Sequence, residues 1–296
     1  PFDLWRVYRF IKQFNPDVVH MHGEGMPRFC LLANCLLGKK IIFVQTIHSD
    51  MRKGYTDMFY RFMYATLGKR KMIRFAALSE TNYRDLRRIY PHFLAAYINN
   101  GRAPINRTAA FDDVTTEVNS FKKNKNTKVV IHIARCHPLK NQKMLIESFN
   151  SLVAKGINAI LLIIGGGFDS KDGEKLKAMS SDSVYFLGQK TNIGDYLFNA
   201  DVFALSSSIE GMPITLLESM LCGVPMVSTP VCGAVDVIDG ENGVLSDSFS
   251  IGDYIKALQS VIVNNDYYKK HAYEGMKNSP YTIKICAEKY MNFYNI

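Results

Sequence analysis

No Cys-x-x-Cys pair occurs among the six cysteines, which stand scattered at positions 30, 35, 136, 222, 232 and 286. That spacing suits free thiols in a reducing compartment better than a zinc site or a disulfide framework. No apolar run approaches the length needed to cross a bilayer. No Asp-x-Asp pair and no His/Asp cluster at metal spacing is present, so no metal site is expected. The absence of a G-x-S-x-G elbow and of a P-loop argues against hydrolase and ATPase readings. Internal repeats and low-complexity tracts are also missing.

What is present suits a two-domain globular chain. The 296 residues are 47% hydrophobic and 21% charged, enough for two full cores. The net charge of +9 is uneven: residues 1–102 hold 17 Lys and Arg against 7 Asp and Glu, and residues 103–296 hold 19 against 20. The excess is densest at Arg52-Lys53, Lys69-Arg70-Lys71, Arg74, Arg84 and Arg87-Arg88, with Tyr55, Phe59, Tyr60, Phe62, Tyr64, Phe75, Tyr83 and Tyr90 interleaved. Two readings stay open for this region, a solvated basic face and a surface for an anionic membrane or a phosphate-bearing acceptor. Nucleic acid is not expected as a partner, because no RNA- or DNA-reading motif accompanies the charge.

Hydrophobic patterning alternates strands with helices. Helix is expected over residues 4–14, strand over Asp17–His22, helix over Pro27–Leu37 and strand over Lys40–Thr46. Helix Tyr55–Leu67, strand Met72–Leu78, helix Glu80–Ile89 and a brief strand Tyr97–Asn100 follow. Residues 102–126 read as a polar, lysine-rich boundary. Alternation then resumes with strands at 128–134, 159–164, 183–187, 201–205 and 225–228, each followed by a helix except the last. Helices at 250–263 and 265–277 come next, and Ser279-Pro280 breaks before a final helix, Tyr281–Asn295. This pattern predicts right-handed βαβ units and parallel sheets covered on both faces. The expected divisions are residues 1–104, residues 105–280, and a crossover helix at 281–296 returning to the first domain.

In such sheets ligands bind beyond the carboxyl ends of the strands. Those ends carry His22 and His48 in the first half, and Arg135, Gly165–Gly167, Gly188–Lys190 and Glu210 in the second. Between Ser206 and Gly223 two glutamates, Glu210 and Glu218, are seven residues apart along a strand-to-helix segment in which Pro213 is expected in the first helical turn. Gly211 lets the backbone approach a ligand closely, and the helix start offers free N–H groups to a phosphate. An anion site flanked by two carboxylates that seek hydroxyls suits a sugar nucleotide. Arg135 and Lys140, around the start of another helix, supply two cations for a departing diphosphate. His20 and His132 lie inside apolar strands and read as satisfied core histidines.

Taken in order, Pro16–His22, Thr46-Ile-His48, Leu78-Ser-Glu80, Asn100-Gly101, Arg135 with Lys140, Gly165–Gly167, Gly188, Glu210 to Glu218, Val224–Thr229 and Asn242-Gly243 span nearly the whole chain. In these landmarks the sequence resembles a retaining glycosyltransferase of the GT-B architecture, family 4. The resemblance implies an α/β fold of two facing Rossmann-like parallel-sheet domains. It implies metal-independent transfer of a sugar, with retention, from a UDP- or GDP-sugar to an acceptor hydroxyl in surface polysaccharide or glycolipid assembly, with no cofactor beyond that substrate. It gives Arg135 and Lys140 the diphosphate, Glu218 the ribose, Glu210 the sugar hydroxyls and His48 a place facing the donor sugar. Backbone N–H groups of Gly211, Met212, Pro213, Ile214, Thr215 and Leu216 complete the cradle with Gly165 and Gly166, and Gly188, Gln189 and Lys190 lie against the base. The implied partners are the nucleotide sugar, a saccharide or lipid-linked acceptor, and an anionic membrane met peripherally from the cytoplasmic side. Family members usually begin with a strand and a glycine-rich loop before the first element read here. The first domain is therefore expected to be incomplete by roughly 60 to 90 residues. A sugar-nucleotide epimerase on the same architecture and a basic nucleic-acid- or membrane-binding protein are the alternatives.

Overall fold

Two parallel sheets form from the apolar runs in a computed structural model that describes residues 2–23, 25–38, 41–48, 62, 64, 73–277 and 279–295. By contact the chain divides into two units, one of Pro1–Gly101, Glu210–Met212 and Ile283–Ile296, the other of Arg102–Ile209 and Pro213–Thr282. The boundary thus falls at Gly101/Arg102, three residues before the expected one, and three residues of the Glu210–Glu218 segment group with the first unit.

The first unit runs α1 (Phe2–Phe14), β1 (Val18–His22), α2 (Met26–Leu37), β2 (Ile42–Ile47), β3 (Ile73–Ala77), α3 (Glu80–Ile89) and β4 (Leu94–Tyr97). Its strands lie in the order β1-β2-β3-β4, all parallel. Strand β3 is buried along its whole length, as expected when helices cover both faces. The fourth strand lies three residues earlier than predicted, because Arg74 to Ala77 set the register against Leu94 to Tyr97. The predicted helix Tyr55–Leu67 and the lysine–arginine clusters at 52–53 and 69–71 lie outside the described residues, positions 62 and 64 excepted.

Four of the residues named in the basic, aromatic region are buried rather than on its surface. Phe75, Tyr64 and Tyr90 are buried together, with Phe75 stacked on Tyr90 at 5.7 Å between ring centroids. Arg74 is buried as well. Its Nη1 donates to the carbonyl oxygens of Phe293 (2.6 Å) and Tyr294 (3.3 Å). Those carbonyls end the last helix of the chain, where a cation is stabilised by the helix dipole. Arg84 and Arg88, on the surface of α3, are paired with Glu80 and Asp85.

In the second unit, residues predicted as a structureless polar boundary contain α4 (Phe111–Phe121). Only Val114 and Val118 of this helix are buried, too short an apolar stripe to stand out in sequence. Its approach is anchored where Thr108 donates through its N–H (2.9 Å) and hydroxyl (2.6 Å) to the buried carboxylate of Asp195. Then come β5 (Lys128–Ile133), a 3₁₀ turn at Pro138–Lys140, α5 (Gln142–Ala154), β6 (Ala159–Ile164), α6 (Lys171–Ala178), β7 (Val184–Gly188), α7 (Ile193–Phe198) and β8 (Val202–Leu205). The unit closes with α8 (Ile214–Leu221), β9 (Met226–Ser228), α9 (Ala234–Val237), β10 (Gly243–Leu245), α10 (Ile251–Val263) and α11 (Asn265–Lys277). The strand order is β10-β9-β8-β5-β6-β7. Short β10 and α9 escape sequence reading because three or four residues show no period. Every residue of β6 is buried, and Ala159, Leu161 and Ile163 join side chains of α5 and α10 in one core.

The final helix, α12 (Ile283–Asn295), belongs by contact to the first unit. Phe293 packs there with Val44, Ala76 and Ile98. Tyr290 and Tyr294 reach polar groups of the sheet, as described below.

Candidate functional site

The six-stranded sheet has a topological switch beside β5. From β5 the chain steps outward through β6 and β7, then returns to the other side of β5 with β8. Loops leaving β5 and β8 therefore diverge and leave a crevice at the carboxyl ends. Backbone hydrogen bonds stitch the strand-end loops together there. Cys136 N–H donates to Gly166 O (2.9 Å), Gly165 N–H to Gly188 O (2.8 Å) and Ser208 N–H to Leu139 O (2.8 Å). Ser206 Oγ donates to Lys140 O (2.7 Å), and Gln142 Nε2 to Arg135 O (2.9 Å). Arg135, Lys140, Gly165, Gly166 and Gly188, all singled out from sequence, thus sit on loops at one end of one sheet. Arg135 is exposed and Lys140 half-buried. Gly165 has no substitute: with φ near +153°, an added Cβ would lie 2.1 Å from Ala134 O.

Beside the glycines lies a cavity of about 500 Å³, lined by Gly165 to Asp169, Lys177, Phe186, Gly188 and Gln189. That volume lies within the usual range for small-molecule sites. Lys190 is engaged otherwise: its Nζ meets Glu117 Oε1 at 3.2 Å and lies over the Tyr196 ring, while Tyr196 Oη donates to Glu117. Those contacts and the neighbouring charge raise its pKa, with the Tyr196 hydrogen bond the largest cause. Lys190 is thus tied to α4 and α7, and Gly188 and Gln189 are left as the cavity-lining part of that turn.

The helix carrying the second glutamate starts one residue after Pro213. Pro213 occupies the N-cap of α8 rather than its first turn, with no side-chain cap. It has no N–H and so drops out of the proposed backbone cradle. Ile214, Thr215 and Leu216 open the helix, where N–H groups have no partner within it. Glu218 is buried one turn on, and its Oε1 accepts from Arg102 Nε at 2.9 Å and from Nη2. Sequence reading missed Arg102, whose partner is 116 residues away. Arg102 is itself held by backbone, donating its N–H to Tyr281 O (2.9 Å). Arg102→Ala is expected to cost about 1–3 kcal/mol by leaving a buried carboxylate unpaired. The lower end is favoured because the guanidinium is half exposed and water screens the pair. Urea denaturation measures this, and Arg102→Lys should recover part of the loss, since an ammonium forms no fork. Unchanged stability in Arg102→Ala would show the pair to be idle.

His48, Glu210, Gly211 and Met212 lie in the first unit. His48 follows β2 directly and is exposed. A Cβ on Gly211 would lie 2.2 Å from His48 O, so the missing side chain admits the main chain of His48. Asn100 Nδ2 donates to Met212 O at 3.2 Å and holds the same segment. His48 Nε2 shares a 2.8 Å hydrogen bond with His22 Nδ1. Both rings are held below the usual imidazole pKa, first by the protein around them and, for His48, also by His22.

His20 fits its reading as a satisfied strand histidine: Nδ1 meets Tyr294 Oη and Nε2 meets Thr46 Oγ1, both at 2.6 Å. Burial, with His22 and His48 adding, brings its pKa down to about 4. His132 does not fit. Its Nδ1 bonds Ala204 O at 2.8 Å, but among the described residues the buried Nε2 has no partner. Burial keeps the ring neutral, with a pKa of about 4.

Among the described residues no group of three or more His, Cys, Asp or Glu could hold a metal ion, and no helix is long and apolar enough to cross a membrane.

Residues 113–278 match the family described as Glycosyl transferases group 1, and residues 1–101 match Glycosyltransferase Family 4. The chain is 26% identical over 270 residues to an N-acetyl-alpha-D-glucosaminyl L-malate synthase of Bacillus anthracis, covering 86% of this chain and 67% of the relative. It is 23% identical to a UDP-Gal:alpha-D-GlcNAc-diphosphoundecaprenol alpha-1,3-galactosyltransferase of Escherichia coli, covering 99% and 75%. Among solved structures, Anabaena Alr3699/HepE in complex with UDP and glucose superposes with a TM-score of 0.81 at 17% identity, over 99% of this chain and 81% of that one. At that identity the likeness establishes the fold, an α/β architecture of two parallel-sheet domains matching GT-B glycosyltransferase structures.

Proposed function

Since the chain belongs to the Glycosyl transferases group 1 family, we propose that it moves a sugar, with retention, from a nucleoside-diphosphate donor to an acceptor hydroxyl. The observation that carries this reading is the gathering of Arg135, Lys140, Gly165, Gly166 and Gly188 on hydrogen-bonded loops at the switch point of the six-stranded sheet. Two cations on that rim suit a diphosphate, whose charge grows as the bond to the sugar breaks. The start of α8 adds N–H donors. Glu218, oriented by Arg102 through Oε1, keeps Oε2 for the ribose hydroxyls, and the cavity beside Gly188 and Gln189 takes the base.

In the proposed reaction the bond from the anomeric carbon to the phosphate oxygen breaks, and its electron pair stays on the diphosphate. The acceptor oxygen attacks the same face, and its proton passes to the departing phosphate oxygen. Arg135 and Lys140 balance the charge that develops there. Glu210 and His48 are assigned to hydroxyls of the transferred sugar. The acceptor is read as a saccharide or lipid-linked hydroxyl at the cytoplasmic face of a membrane. The Escherichia coli relative, named for a diphosphoundecaprenol acceptor, supports that class.

A thermal-shift panel of UDP- and GDP-sugars tests the donor assignment. A donor present at a hundred times its dissociation constant should stabilise the chain by about 2.7 kcal/mol. The matching free nucleoside diphosphate should give much of that shift, because base, ribose and diphosphate make most of the proposed contacts. A flat panel, with no response to any nucleoside diphosphate, would remove this reading.

A further inference from the structure

His22 and His48 end adjacent parallel strands. His22 stands opposite Thr46 in the β1–β2 register, and His48 comes two residues after Thr46. Side chains two apart on a strand share a face, so His20 and His22 are neighbours, and their rings lie 4.2 Å apart between centroids. His20 is clamped at both nitrogens, by Tyr294 of α12 and by Thr46, and Thr46 Oγ1 also meets Tyr290 Oη at 3.1 Å. A fixed ring therefore backs His22, and His22 Nδ1 engages His48 Nε2 at 2.8 Å. Among the described residues, His48 Nδ1 has no hydrogen-bond partner.

From this geometry we infer that His22 is a positioning residue for His48. By occupying the Nε2 edge it fixes the ring's orientation and leaves Nδ1 as the nitrogen that meets substrate. One proton lies between the two rings. Whichever ring donates it, the tautomer of one sets the tautomer of the other, and so decides whether His48 Nδ1 offers a proton or a lone pair. Backing by His20 limits the rotation of His22, so the orientation of His48 is inherited from the sheet and from α12. The inference that this matters for transfer rests on the proposed function; the pairing itself does not.

Three proteins test it: wild type, His22→Phe, which keeps a ring against His20 but has no nitrogen, and His22→Gln, whose amide can replace the hydrogen bond. Two readouts are needed, the ¹⁵N shifts of the His48 ring in the free protein, and kcat and donor KM for transfer. In His22→Phe the His48 nitrogens should move away from their hydrogen-bonded shifts. Its kcat should fall about tenfold to a hundredfold, with donor KM within about threefold of wild type, the loss expected from a misplaced group. His22→Gln should recover most of the rate. Unmoved His48 nitrogens in His22→Phe, or a kcat within about twofold of wild type, would overturn the inference. A wild-type chain that moves no sugar from any donor would defeat the functional reading instead, and the nitrogen shifts would still decide the pairing.

Discussion

Arg135→Ala is expected to lower sugar transfer by about 10²–10³-fold, the usual loss when a group that meets charge developing in the transition state is removed. Stability should barely change. The side chain is exposed, and the loop below it is held by other groups, Gln142 on the Arg135 carbonyl and Cys136 N–H on Gly166. Because the charge on the diphosphate is larger in the transition state than in the bound donor, kcat should fall more than donor affinity. Lys140→Ala should act in the same direction. Glu210→Gln should also slow transfer, through lost contacts to sugar hydroxyls, and leave the binding of free nucleoside diphosphate unaltered. The measurement is steady-state transfer alongside equilibrium binding of the diphosphate. Rates within a few-fold of wild type in both Arg135→Ala and Glu210→Gln would end the site assignment.

Gly165→Ala should abolish donor binding and also cost stability, for a reason local to the backbone. The residue adopts a positive φ, and its missing Cβ would stand 2.1 Å from Ala134 O and 3.0 Å from Arg135 N. No side chain can swing aside to relieve a backbone contact of that kind, so the β5 loop must shift and take Arg135 with it. Overpacking together with an unfavourable φ should cost about 2–4 kcal/mol. For a chain of this size that is several degrees in melting temperature. Gly188→Ala is the internal comparison. Its φ of +67° lies in the left-handed region that L residues visit at a modest cost, and nothing lies within 4 Å of the added Cβ. The difference between the two variants reports the clash together with the less accessible φ at Gly165. Equal melting temperatures and equal nucleotide responses for both would refute the argument.

These two predictions rest on features of different legibility. Arg135 stands out in sequence because it follows an apolar strand and precedes a helix, and a strand end in a parallel sheet is where ligands bind. The demand for glycine at 165 is invisible there, since only the fold brings Ala134 O against it. Elements with a strong period are equally legible: β6 is a run of six apolar residues, and helices α10 and α11 fall within a residue of their predicted bounds. Helix α4 is not legible, because two buried valines amid threonines and acids make too weak a stripe, and its anchor at Asp195 is 87 residues from Thr108. The aromatics among the basic residues of the first unit mislead for a related reason. Composition does not say which face a ring occupies, and Phe75, Tyr64 and Tyr90 turn inward.

Sequence by itself determined the alternation of strands and helices, α4, α9 and β10 apart, and hence the parallel sheets and the residues at their carboxyl ends. Each of these follows from periodicity and chain direction over a few residues. Only the tertiary structure decided the partners of those residues. It paired Glu218 with Arg102, Lys190 with Glu117, and His48 with His22, and it set Gly211 against the His48 carbonyl. Each of these contacts joins groups 26 to 163 residues apart, positions brought together by strand order and crossover, which no local pattern encodes.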